Sequence, residues 1–301
     1  IKMIKEIIEP EEEDLDGEEI LADAEFTLAY GTKILLHNTR IKLKRGKRYG
    51  LLGPNDCGKT TLMRSISQEQ IEGFPPASEL RTVFVEADIL GELSHLSCVD
   101  YVLADPRIQA DNISGEQVAA KLRSVGWSSA QGPKENDGVD TLSGGWRMKL
   151  ALTRAMLLNA DILLFDEPTN HMDVMNVKWV KDWIIAQENV TSIMVSHDSG
   201  FLDDCCTHIL QIANLKLHTY KGNLSQFVEK VPEARSYFEL GESKLKFTFP
   251  QPGPLEGVKS KGKALMKMEG VNYRYPINDH FTIIGCTVQV SLSSRVGCVG
   301  P

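Results

Sequence analysis

The sequence predicts an α/β fold built on a largely parallel sheet, and three observations carry that expectation. Short apolar strands alternate with helical segments along most of the chain. One strand runs straight into a glycine-rich turn and then a helix, at Gly53-Pro54-Asn55-Asp56-Cys57-Gly58-Lys59-Thr60. A second apolar run, Ile162-Leu163-Leu164-Phe165, ends in two adjacent carboxylates, Asp166 and Glu167.

Composition removes several classes. Of 301 residues, 42% are hydrophobic and 25% charged, which excludes wholesale disorder and a disulfide-stapled miniprotein. No apolar run approaches the ~20 residues a membrane span needs. A net charge of −8 argues against a free-standing nucleic-acid binder. The six cysteines form no CxxC pair and the seven histidines show no zinc spacing, so reduced thiols in a cytoplasmic protein are expected. Ile1-Lys2-Met3 is neither an initiator Met nor a secretory start, so the chain is expected to be a fragment.

In order, residues 1–23 read as an acidic linker, because like charges repel and little apolar surface is present. Residues 24–222 read as the main domain. Glu25–Tyr30 and Lys33–Lys44 have strand texture, Arg45-Gly46 is a turn, and Arg48–Leu52 is a short apolar strand. A helix is expected from Lys59 to about Glu69, and a strand over Arg81–Val85. Residues 92–140 look helical and loop-rich, with helical spacing at Val99–Leu103 and Gly115–Val125. A further helix should start after Ser143 and reach about Leu158, followed by strands at Asp161–Phe165 and Thr191–Ser196. Residues 223–267 read as a linker, with helical text over Phe227–Leu240 and a Pro/Gly cluster at Phe249–Pro254. Residues 268–301 repeat the opening pattern. Tyr275 precedes Gly300-Pro301 much as Tyr30 precedes Gly53-Pro54, so a second copy of the domain is expected to begin there.

The chemistry resides in four motifs. Gly53 to Thr60 fits the phosphate-binding P-loop, set between a strand and a helix. Its backbone N–H groups would converge on phosphate oxygens, aided by the helix N-terminus. Lys59 would contact the β- and γ-phosphates of a nucleotide, and the Thr60 hydroxyl would ligate Mg²⁺. Asp166 suits Mg²⁺ ligation and Glu167 suits polarising an attacking water. Leu142-Ser143-Gly144-Gly145 precedes a helix, with Ser143 a plausible N-cap and two glycines baring the backbone. Ser196-His197-Asp198 ends the next strand and would bring His197 to the γ-phosphate.

P-loop, LSGG, Asp-Glu strand and His, in that order, resemble the ATP-binding cassette (ABC) ATPases. The resemblance implies a mixed sheet core with an antiparallel β-subdomain and an α-helical subdomain. Asp166-Glu167-Pro168-Thr169-Asn170-His171-Met172-Asp173 is similar to the ABC-F subfamily, soluble proteins that act on ribosomes. Trp146–Asp173, Tyr220–Leu224, Leu255–Lys259 and Ser291–Arg295 look like a translation elongation factor of that group. The resemblance implies an ATPase of translation with the ribosome as partner, a second cassette in the same chain, and no membrane. It also implies that Tyr30 stacks on adenine, and that Gly53 through Thr61 with Asp166, Glu167 and His197 form one half-site. Ser143, Gly144 and Gly145 would face a second ATP opposite the P-loop that starts at Gly300-Pro301. Two residues depart from the family pattern. Glu86 stands where a Gln often senses the γ-phosphate, and Asp56 stands where Gly is usual.

Other readings of the same residues are the ATPase subunit of an ABC transporter and a non-hydrolytic, ATP-gated interaction module. Lys42, Lys44, Arg45, Lys47 and Arg48 form a basic cluster that reads as a solvated turn or an RNA contact. Cys57 reads as a tolerated small residue, and Trp127, Trp146, Trp179 and Trp183 as packing residues.

Overall fold

The computed structural model describes residues 17–86, 93–129, 132–170, 172–235, 264–275, 280–291 and 294–297. His171, most of the acidic start, the Pro/Gly cluster and Gly300-Pro301 lie outside the described residues. The chain divides into two units, Ile1–Ser243 and Lys244–Pro301.

The first unit opens with a hairpin of β1 (Ile20–Tyr30) and β2 (Lys33–Lys44). β3 (Arg48–Leu52) follows and leads into α1 (Lys59–Ser67), then β4 (Thr82–Val85). Three helices come next: α2 (Cys98–Leu103), α3 (Pro106–Ala110) and α4 (Gly115–Ser124). A 3₁₀ turn at Val139–Thr141 precedes α5 (Gly144–Leu157). The remainder runs β5 (Ile162–Asp166), α6 (Val174–Ile185), β6 (Thr191–Val195), α7 (Ser199–Cys205), β7 (His208–Ala213), β8 (Lys216–Lys221) and α8 (Leu224–Lys230).

The main sheet is six-stranded, in the order β4-β5-β6-β3-β7-β8. All pairings are parallel except β7 with β8, a hairpin at the edge. β3 is thus central, and the ends of β3, β4, β5 and β6 open on one edge of the sheet. The sheet is buried on both faces, which accounts for its nearly continuous apolar strands. Alternation still decides which side chain goes where. Ile162 and Leu164 pack with the β1–β2 hairpin and α1, among Leu36, Ile41, Leu62 and Met63. Leu163 and Phe165 pack with the helices on the other face, among Val118, Leu150, Leu152 and Phe201. The hairpin is fastened to the sheet by polar bonds as well, such as Leu217 N–H to Thr39 Oγ1 at 2.8 Å.

Two expected boundaries move. β1 begins at Ile20 inside the acidic stretch, because Leu21 and Ala22 are buried. The end at residue 222 also shifts, since α8 buries Leu224 and Phe227 in the same core. Among the described residues, the second unit contains an antiparallel pair, β9 (Ala264–Tyr273) and β10 (Ile283–Ser291), which starts before residue 268.

Candidate functional site

Four strand ends and one loop assemble the site. β3 delivers the glycine-rich loop, whose last glycine, Gly58, has φ +98°. A Cβ there would stand 2.7 Å from Leu35 Cδ1, so both backbone and packing call for glycine. Asp56 also sits in the left-handed region, at φ +59°, where Asp is better tolerated than most residues. Lys59 folds back across the loop, its Nζ donating to the carbonyls of Gly53 and Pro54, each at 2.9 Å. Thr60 Oγ1 donates to Asp166 Oδ2 at 2.7 Å, joining the start of α1 to the end of β5.

Glu167 follows Asp166 with φ +49°, outside the strand conformation. Its backbone N–H donates to Val195 O at 2.9 Å, and its Oε2 accepts from the His197 N–H at 3.0 Å. His197 Nε2 lies 3.5 Å from Glu167 Oε1, on a side chain 70% exposed. Burial pushes the Glu167 carboxyl above its ordinary value, and Asp166 adds to the shift. The His197 backbone N–H and the Lys59 charge pull in the other direction. Gly53, Lys59, Glu167, Ser196 and His197 line one cleft of about 160 Å³.

Two helix starts are open to an external acceptor, that of α1 at the cleft and that of α5 away from it. Every α-helix of the described residues except α1 and α5 starts with a side chain accepting from its first turn, as Asp173 does for α6. α1 begins at Gly58 and α5 at Ser143, neither with a side-chain cap. Ser143 therefore occupies the expected N-cap position without making the expected bond. Both helices leave amide N–H groups for an external acceptor, the arrangement that binds phosphate.

Other expected residues lie apart from the cleft. Tyr30 closes the β1–β2 hairpin and is 73% exposed. Ser143, Gly144 and Gly145 do not line the cleft. Glu86 extends β4 beside Asp166, since Val85 pairs with Phe165. Its Oε1 accepts from Arg64 Nη2 at 2.5 Å, a partner on α1 that sequence spacing did not suggest. Burial pushes the half-buried Cys57 thiol up, as befits a packed small residue. The basic cluster is neither free nor solvated throughout. Glu18 pairs with Lys44 at 2.7 Å and Lys47 at 2.8 Å, while Arg45 bridges Glu19 and Asp161.

Residues 36–170 match the ABC transporter family model. A nucleotide-free ATP-binding cassette from an ABC transporter superposes with a TM-score of 0.58 at 14% identity, covering 74% of this chain and 98% of that one. An ATP-binding subunit of an ABC transporter gives 0.59 at 16%, covering 74% and 99%. The chain has the fold of an ATP-binding cassette. This cassette chain is 53% identical to Elongation factor 3 of Gonapodya prolifera over 99% of its length. It is 51% identical to Elongation factor 3 of Phytophthora infestans over 96%, and 49% identical to Elongation factor 3B of Saccharomyces cerevisiae over 97%. It covers 27%, 28% and 27% of those relatives, so the chain spans about a quarter of their length. The cassette fold is a nucleotide-binding fold. Among the described residues, none of its helices is long and apolar enough to cross a membrane.

Proposed function

We propose that the cassette binds ATP with Mg²⁺ and hydrolyses it within a cytoplasmic, ribosome-associated elongation factor 3-like protein. The observation that supports hydrolysis is the convergence of Lys59, Glu167 and His197 on one cleft, with Thr60 and Asp166 joined at 2.7 Å. The translational setting rests on the 53% identity to an Elongation factor 3 over 99% of the chain.

The donor set suits Mg²⁺. A hydroxyl and a carboxylate offer hard oxygens and leave positions for phosphate and water. When bound, the ion would neutralise charge on the phosphoryl oxygens. Lys59 exchanges its two carbonyl acceptors for β- and γ-phosphate oxygens. The loop N–H groups from Pro54's successor Asn55 through Thr61 and the uncapped start of α1 hold the same phosphates. Glu167, its carboxyl raised by burial, takes the proton of the attacking water. His197 orients the γ-phosphate from the end of β6, and Tyr30 stacks on the base. Glu86, held by Arg64, stands as a sensor of the γ-phosphate beside Asp166. Ser143, Gly144 and Gly145 serve a second nucleotide held by a partner cassette. The β9–β10 pair supports a second cassette that opens, like the first, on an antiparallel hairpin.

Glu167→Gln in the full-length protein tests this reading. ATP binding is expected to persist while turnover falls by about 10²–10³-fold, with the protein held on ribosomes. Unchanged turnover, or no ATP binding by the parent, would overturn it.

A further inference from the structure

Lys149 on α5 has an unusual environment for a lysine. Its Nζ lies 4.3 Å from the centroid of Trp146 and 4.9 Å from that of Trp179 on α6. Among the described residues no carboxylate stands within ion-pair distance of it. Burial lowers its pKa and the Asp173 charge opposes that shift. Trp146 is itself held edge-on by buried Trp127, with centroids 4.8 Å apart and planes at 82°. An ammonium between two indole faces is attracted to both, and more strongly where water is partly excluded.

A second contact joins the same two helices one turn earlier. A Cβ on Gly145 would fall 2.5 Å from Asn176 Nδ2, so the start of α5 lies directly against α6. That Asn176 amide donates to Asp173 Oδ2 at 2.6 Å, tying it to the N-cap of α6. α5 has no side-chain cap of its own. These two fastenings hold the first amides from the α6 side, while Arg147 Nε, donating to Leu142 O at 3.1 Å, ties the helix to the segment before it.

We infer that Lys149 is a positioning residue, its ammonium clasped between Trp146 and Trp179 to fix the uncapped start of α5, and so Ser143–Gly145, against α6. The inference deepens the proposed ATPase, because it assigns the residue that aims the segment facing the second nucleotide. Nothing in the sequence distinguished Lys149 from other helix-surface lysines, since Trp179 approaches from a separate helix.

The test compares Lys149→Met, which keeps length and loses charge, with Lys149→Arg, which keeps a cation over the rings. In the full-length protein, Lys149→Met is expected to lower kcat about tenfold with KM within about twofold, and Lys149→Arg to retain at least about half the rate. Hydrogen exchange at the Gly144–Trp146 amides should rise about fivefold in Lys149→Met and stay at the parent level in Lys149→Arg. Should Lys149→Met fail to fold, Trp179→Phe against Trp179→Leu carries the same comparison, with Phe retaining an aromatic face. Parent-like exchange in Lys149→Met would overturn the clasp, as would equal damage from Met and Arg, which would reduce Lys149 to a space filler. A parent that hydrolyses no ATP would sink the ATPase reading, while the exchange comparison would still decide the clasp.

Discussion

Asp56 combines two costs at one position, a left-handed backbone and a negative charge in the loop proposed to hold phosphates. The backbone cost is about 1 kcal/mol relative to glycine. The repulsion of two unit charges ~5 Å apart at an effective dielectric of ~20 is about 3 kcal/mol before screening. Asp56→Gly is therefore expected to tighten ATP binding by about tenfold and raise stability by about 1 kcal/mol. Titration of the two proteins giving equal dissociation constants would contradict the charge argument. Glu167 supplies a second prediction. A carboxyl raised by burial must lose its proton to act as a base, so turnover should climb with pH along a limb above the ordinary Glu range. A limb at or below about 4.3 in the pH–rate profile would remove Glu167 from that role. Both side chains were legible as motif letters. The left-handed backbone at Asp56 was legible too, because Asp replaces a customary glycine there; that at Glu167 was not, because it is set by how the chain leaves β5.

At the scale of elements, strands buried on both faces were the most readable. β3, β5 and β6 are nearly continuous apolar runs, and each was expected within a residue or two of where it lies. β7 and β8 carry His208, Gln211, His218 and Lys221, and so lacked that signature. α6 and α7 were also not anticipated, although their caps Asp173 and Asp198 stand in the expected positions relative to them. The acidic stretch misled for a different reason. A run of charges shows its own repulsion, but Glu18 and Glu19 find partners in Lys44 at the end of β2 and in Arg45 and Lys47 of the turn after it. Hydrogen bonds from Lys44 and Lys47 hold the Glu18 carboxyl down to about 2. A lowered carboxyl contributes its stability above the ordinary Glu range and loses it as pH falls toward about 2. Lys44 is only 4% exposed, so Glu18→Gln should cost about 1–2 kcal/mol near neutrality. Urea unfolding at several pH values should show the gap closing progressively as pH falls from about 5 toward about 2. A gap independent of pH would assign the loss to packing.

For the whole molecule, the sheet separates two cores. Leu62 on α1 packs on the hairpin side, and Leu152 on α5 packs on the helical side. Each Leu→Ala change should cost about 2–5 kcal/mol. Combined, the two should add to within about 0.5 kcal/mol, because they lie in separate cores on opposite faces of the sheet. A double-mutant cycle with larger coupling would show that strain crosses the sheet.

This separation bears on how such a protein can change over generations. The layer that seats Lys59 and Thr60 belongs to one core, and the layer that carries Ser143 to Gly145 belongs to the other. Substitutions that retune the helical layer toward a new neighbour meet the layer under the loop chiefly at Leu52, which precedes the loop and packs on the helical side, while Leu62, Met63 and Ile66 of α1 pack on the other. One half of the machine can be remodelled while the other is conserved by its own packing.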